Sequence, residues 1–207
     1  MDITPELIEK VKQYAMVAVK PERFQHSIRV GETARLMCRI YGVDPLKGYF
    51  AGIAHDICKD LDDEIQISLA SHDGAEFTKQ ELKKPALLHG RAAAIKLEKD
   101  FGVDDREILE AVAKHTLGGK GLCSLSKIIY VADKVEPGRP HSTEEYRSEL
   151  FALPLNTMCL KVLEENMDYL KKKNKSVADV SYKFLEDLKE LSLAEKKGSV
   201  DEKSTGK

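Results

Sequence analysis

Apolar residues recur along most of this chain at spacings of three and four, and the period-two alternation of a half-buried strand is nearly absent. The pattern predicts helices throughout and an all-α bundle. Thr4-Pro5 opens the first helix, with proline where its missing N–H costs nothing. Val19-Lys20-Pro21 ends that helix and starts a second, which carries Arg23, His26, Val30 and Leu36 to a stop at Gly42. Asp44-Pro45 opens a third, which runs through Phe50 and Ile53 into His55-Asp56. A short helix is expected over 64–70, and a long one from Pro85 through His89 and Ile95 to Gly102. Asp104 or Asp105 caps the next, with Ile108, Val112 and His115 on one side. Ser124 is expected to cap 125–135, which Pro137-Gly138 ends, and further helices fit 143–151, 154–173 and 177–191. No repeat or internal linker divides the chain. Residues 1–195 therefore read as one domain, and the polar stretch 196–207 as a disordered tail.

Charge narrows the partners. With 33 Lys and Arg against 35 Asp and Glu, the net charge of -2 gives no long-range pull toward nucleic acid or an anionic membrane. A phosphorylated ligand would need a local positive site. Cys38, Cys58, Cys123 and Cys159 lie far apart without a CxxC pair, which argues against a thiolate zinc site or a dithiol motif. They read as reduced thiols in a cytoplasmic protein. The first twenty residues are too charged for a signal peptide, and no stretch approaches the ~20 apolar residues of a membrane span.

Six residues carry the candidate chemistry: His26, His55, Asp56, His89, His115 and Asp133. Each sits in or at the end of an expected helix with apolar neighbours. Singly, each has an ordinary explanation. A lone histidine on an apolar face is usually a hydrogen-bonded core residue, and Asp133 alone could be a buried ion-pair partner. Adjacent residues on a straight helix point about 100° apart, so His55 and Asp56 could flank one point only near a helix end or in a bundle interior. Together the six suggest a metal site built from inward-facing side chains of several helices.

In order, the separate His26, the adjacent His55-Asp56 pair and the later Asp133 resemble the HD superfamily of metal-dependent phosphohydrolases. His89 and His115 resemble the subset that holds two metals. Finer motifs are His26-Ser27-x-Arg29-Val30, Ala54-His55-Asp56-x-x-Lys59, Leu88-His89-Gly90, His115-Thr116-x-Gly118 and the run Lys127–Asp133 followed by Glu136-Pro137-x-Arg139. These look like the bacterial YqeK-type branch, whose members are symmetrical bis(5'-nucleosyl)-tetraphosphatases. The resemblance implies an HD-domain helical bundle that cuts diadenosine tetraphosphate into two ADP by attack of a metal-activated water.

The resemblance further implies that His26, His55, Asp56 and Asp133 hold one metal. His89 and His115 would help hold a second, with Asp56 shared. An imidazole–carboxylate set suits iron, manganese, cobalt or zinc, and the family favours iron. Asp56 and Lys59 are the expected catalytic residues. Lys59, Arg29, Thr116 and Arg139 are the expected substrate contacts, against surface or ion-paired roles for Lys59 and Arg29 and a plain helix stop at Gly118-Gly119 after Thr116. Asp60 is either support for a ligand or a helix-end cap.

The basic run Lys171-Lys172-Lys173-Asn174-Lys175 reads as a solvated helix end, His72 and His141 as exposed turn residues, and Gly118-Gly119-Lys120-Gly121 lacks the spacing of a phosphate loop. No nucleic-acid or membrane partner is expected, and a homodimer is allowed. The rival readings are an HD phosphohydrolase for another substrate (a nucleoside monophosphate, a deoxynucleotide triphosphate, a cyclic nucleotide or a guanosine alarmone), a non-catalytic metal- or nucleotide-sensing module, and a di-iron oxygenase of the same fold.

Overall fold

The computed structural model describes the backbone of residues 3–204 and the side chains of residues 3–195. Among the described residues eleven α-helices follow one another: α1 Pro5–Ala18, α2 Pro21–Ile40, α3 Pro45–Ala54, α4 Asp63–Ala70, α5 Lys79–Lys83, α6 His89–Phe101, α7 Arg106–Lys114, α8 Ser124–Val135, α9 Glu144–Phe151, α10 Leu155–Lys172 and α11 Asp179–Ser204. No strand occurs among the described residues.

The helix starts follow local chemistry. Proline occupies the first turn of α1, α2 and α3. Thr4, Asp44, Asp105 and Thr143 each accept a hydrogen bond from an otherwise unpaired N–H at the start of the helix that follows. Two expected starts shift. Cys123, not Ser124, caps α8, its sulfur accepting from the Ser126 N–H. Residues Pro85–Leu87 form only a short 3-10 turn, so α6 begins at His89 itself. The five-residue α5 was not anticipated. Its Thr78 and Glu81 form a reciprocal capping box, a signal the sequence does contain. At the other end, α11 continues to Ser204, past the expected stop near 191. The side chains of 196–204 and all of 205–207 lie outside the described residues, and the expected tail falls there.

Helices α2, α3 and α8 make the centre, with α6 and α7 on one flank and α10 and α11 on another. Val30, Met37, Phe50, Ile53, Ile128 and Val131 fill the space between them and are fully buried. Helices α2 and α3 approach so closely that a Cβ on Gly52 would lie 2.5 Å from the Gly31 Cα, a separation that leaves no room for a side chain at position 52. That contact sets the spacing between His26 on α2 and His55 at the end of α3. On the other flank, the Phe184 ring of α11 lies edge-on to Tyr130 of α8, 5.4 Å between centroids. It also covers Gly118, whose φ of +73° and lack of Cβ let the ring in. No described helix is long and apolar enough to cross a membrane.

Candidate active site

Five helices deliver the six candidate residues to one point. His26 lies within α2 and Asp133 within α8. His55 and His115 are the residues that end α3 and α7, and His89 is the first residue of α6. Because α3 ends at Ala54, the next residues form a tight turn, which lets the adjacent His55 and Asp56 face the same centre. Asp56 Oδ1 lies 3.0 Å from His89 Nε2 and 3.6 Å from His115 Nε2. Its other oxygen is 3.6 Å from His55 Nε2. Asp133 Oδ1 is 3.0 Å from His26 Nε2 and 3.8 Å from His55 Nε2. Two groups with metal-ligand spacing result, His26–His55–Asp56 and Asp56–His89–His115, and Asp56 belongs to both.

The ring orientations are set from behind. His55 Nδ1 donates to Gly52 O at 2.6 Å, His89 Nδ1 to Ala86 O at 2.7 Å and His115 Nδ1 to Val112 O at 2.8 Å. Each partner is the carbonyl three residues earlier. With the proton held on Nδ1, each Nε2 presents its lone pair to the centre. His26 uses a carboxylate instead: its Nδ1 donates to Glu136 Oε1 at 3.1 Å. Glu136 is in turn gripped by Arg29 Nε at 2.5 Å and by the Gly138 N–H at 2.5 Å.

Electrostatics follow from burial. His55 is wholly buried, and burial pulls its pKa down to about 3, so its ring is neutral at ordinary pH. Burial lowers His89 in the same way, against the pull of Asp56. For His26, burial is outweighed by Asp133 and Glu136, and its pKa rises. Burial opposes ionisation of Asp56, yet the surrounding histidines hold it well below the usual carboxylate range; Lys134 and His26 do the same for Asp133. Glu136 falls to about 2, its burial overcome by His26 and Arg29.

The donor set fits a divalent metal ion on an observation of the fold itself. His55 Nε2 is buried with no hydrogen-bond partner, although it faces two carboxylates at 3.6 and 3.8 Å. An orphaned buried nitrogen is costly unless something binds it. All six candidate groups are nitrogen or oxygen donors. The four cysteines are unpaired and belong to neither group.

The other expected site residues gather around this centre. Lys59 Nζ lies 3.1 Å from the ring nitrogens of His89. Thr116 Oγ1 is 3.2 Å from His89 Nε2 and 3.1 Å from His115 Nε2. Arg139 donates to Asp133 Oδ1 at 2.8 Å and to the Asp133 carbonyl at 2.9 Å. Arg29 is paired with Glu136, yet both arginines keep more than a third of their side chains exposed to a cleft of about 1400 Å³. Asp60 turns out to be a tether: it accepts from the Lys20 N–H and from Arg23 Nε, while Arg23 Nη1 reaches Asp56 at 3.2 Å. Sequence reasoning missed Arg23, Lys134 and the role of Glu136. Lys134 Nζ touches Asp133 Oδ2 at 3.3 Å and the His115 carbonyl at 3.0 Å. The only sequence signal for Lys134 and Glu136 was their place in the run around Asp133.

Comparison with known proteins agrees with this geometry. The HD domain family model matches residues 23–138, which span His26 to Asp133. A symmetrical bis(5'-nucleosyl)-tetraphosphatase of Staphylococcus aureus is 37% identical over 134 residues, 64% of this chain and 68% of that protein. One of Halalkalibacterium halodurans is 31% identical over 169 residues, 79% of this chain and 89% of its own. The crystal structure of a "predicted HD superfamily hydrolase involved in NAD metabolism" from Clostridium acetobutylicum superposes with a TM-score of 0.80 at 30% identity, over 87% of this chain and 95% of that one. On its ligand pattern, its fold and its relatives, the chain belongs to the HD domain family.

Proposed function

We propose that this protein is a metal-dependent hydrolase that cleaves diadenosine tetraphosphate symmetrically into two ADP. One observation carries the proposal: four imidazoles and two carboxylates converge on the floor of a large, cation-lined cleft, with the His55 Nε2 left free for a ligand. The relatives named for the symmetrical cleavage support the choice of substrate.

His26, His55, Asp56 and Asp133 would hold one metal, and His89 and His115 a second with Asp56 shared. When bound, such ions supply a Lewis acid for phosphoryl oxygens and a nucleophile at neutral pH. The ligand types admit iron, manganese, cobalt or zinc; the family resemblance makes iron our choice. The chain's own groups do the rest. Lys59, beside His89 and partly buried, neutralises phosphate charge and orients the attacking water. Its ammonium is pulled toward release of its proton by burial, against Asp56 and Asp133. Arg29 and Arg139 offer their exposed guanidinium edges to the polyphosphate. The Thr116 hydroxyl, between His89 and His115, fixes a phosphate oxygen by hydrogen bonding. Unpaired, mostly buried cysteines support a reducing, cytoplasmic setting, the bacterial sources of the relatives support a bacterial one, and sedimentation would tell monomer from homodimer.

The test is a product assay. Protein supplied with iron or manganese should convert diadenosine tetraphosphate to ADP alone. AMP with ATP would refute symmetry while keeping a hydrolase. No turnover with any metal would refute the reading and favour a sensing module.

A further inference from the structure

The cleft is larger than a metal centre and one nucleotide need. At about 1400 Å³ it exceeds the roughly 300–1,000 Å³ of pockets that take a single drug-sized ligand. Its floor is the candidate metal centre. Its far rim is built from two distant pieces of chain, Gln80 and Lys84 around α5, and Tyr169, Leu170, Lys175 and Ser176 around the α10–α11 connection.

The cations divide between these two regions. Most of those around the floor are already engaged with carboxylates: Arg23 with Asp56 and Asp60, Arg29 with Glu136, and Lys134 and Arg139 with Asp133, while Lys59 lies against the His89 ring. Part of their charge is spent on holding those carboxylates, and Arg29 and Arg139 keep one edge open to the cleft. Lys84 and Lys175 form no ion pair with any described residue, although both line the cleft. Two such lysines facing one cavity favour an anion from outside the chain.

The rim is also held in shape. Gln80 Nε2 donates to Ser176 Oγ at 3.3 Å, joining segments 96 residues apart. The polar stretch leading to Lys84 would otherwise be loosely packed, but Arg91 anchors it. Its guanidinium forms two bonds to Asp73, at 2.6 and 2.7 Å, one to the Ala75 carbonyl at 2.7 Å and one to Glu81 at 3.2 Å. It also lies over the Phe77 ring, 4.9 Å from its centroid. On the same rim, Tyr169 exposes 55% of its surface and lines the cleft with Leu170, and Lys173 Nζ lies 6.0 Å from its ring centroid. An aromatic ring open to water next to unpaired cations is the chemistry that stacks a nucleobase and pairs its phosphates.

We propose that this rim is a second nucleotide subsite, in which Tyr169 stacks a base and Lys84 and Lys175 bind the phosphates of one ADP half of the dinucleotide. The other half lies on the Arg29–Arg139 side of the floor. The inference rests on the dinucleotide reading for its biological ligand, but its test does not depend on turnover. Full-length protein loaded with manganese is dialysed to equilibrium against ADP. The wild type should bind two ADP per chain, and the Lys84→Ser, Tyr169→Ala, Lys175→Ser triple variant one. In kinetics, the variant should show a KM for diadenosine tetraphosphate raised about tenfold or more, the scale of one lost base stack. One ADP per chain in the wild type, or two in the variant, overturns the subsite. Symmetrical cleavage with a single ADP bound removes the subsite and keeps the hydrolase. Two ADP bound, reduced to one in the variant, without any cleavage of the dinucleotide keeps the subsite and removes the hydrolase.

Discussion

The Nδ1–H of His26 donates to Glu136 Oε1 at 3.1 Å, across 110 residues of sequence. Glu136 is nearly inaccessible and is held by Arg29 and the Gly138 N–H. Its work is to aim His26 and to make that ring a better donor to metal. Partners of this kind set metal affinity by about 10- to 100-fold. Glu136→Gln should weaken metal binding by that factor, read by competition with a coloured chelator. Unchanged affinity would show that His26 needs no such support.

Asp133 tests the centre directly. Asp133→Asn keeps the shape but removes the charge that faces His26, His55, Lys134 and Arg139. Metal binding and turnover should be abolished while the far-ultraviolet helical signal is largely kept. The melting temperature should drop, because Lys134 and Arg139 lose their counter-ion. Full activity in this variant would sink the ligand assignment.

Acid should destabilise the metal-free protein, and the sign follows from His55. Its pKa is about 3 in the fold against an ordinary 6.5, so the unfolded chain takes up a proton below pH 6.5 that the folded chain refuses. Its contribution is whole above pH 6.5 and is lost as pH falls toward 3. Glu136, depressed to about 2, adds a loss that begins near its ordinary 4.5. His26 works the other way: its raised pKa stabilises the fold below 6.5 and that help fades as pH rises through the folded value. His55 is the more deeply buried of the two rings, so it dominates. Thermal melts of chelated protein should therefore show a falling midpoint between pH 7 and 4. A midpoint that rises on acidification would mean that His55 is already charged in the fold.

The Gly31–Gly52 contact offers a mechanical test. Gly52→Ala places a methyl 2.5 Å from the Gly31 Cα and 2.7 Å from its nitrogen, and backbone cannot step aside as a side chain can. Helices α2 and α3 must separate, at a cost of about 1–3 kcal/mol. The same movement carries His26 away from His55. Denaturant unfolding should show the lost stability, and chelator competition a weaker metal site. Loss of stability without loss of affinity would uncouple the helix spacing from the centre.

The candidate set was legible in the sequence because two of its members stand out at the end of apolar runs: Asp133 ends Ile128-Ile129-Tyr130-Val131-Ala132, and His55 follows Phe50-Ala51-Gly52-Ile53-Ala54. A polar group at such a place needs a partner, and six in family order point to one. Most helices were legible from their prolines and caps. The partners of the ligands were not. Nothing in local spacing links Glu136 to His26, or Arg23 to Asp56, because those pairs are created by packing of distant helices. Arg91 was likewise opaque: its neighbours Asp73, Ala75 and Glu81 come from an irregular segment whose path has no periodic signature. The start of α6 was misplaced because Pro85 also suits a 3-10 turn, and that turn is what presents the Ala86 carbonyl to His89.

Three of the four histidines of the candidate centre take their orientation from a carbonyl in their own turn of chain. Their aim is therefore inherited with the backbone and survives replacement of nearly any neighbouring side chain. His26 alone borrows its aim from another residue's side chain. The candidate centre thus joins a fixed part, which would let substitutions in the surrounding cleft change what is bound without disturbing a metal, to one adjustable candidate ligand. Natural variation in metal preference should accordingly concentrate at Glu136, Arg29 and the contacts that hold them, rather than behind His55, His89 or His115.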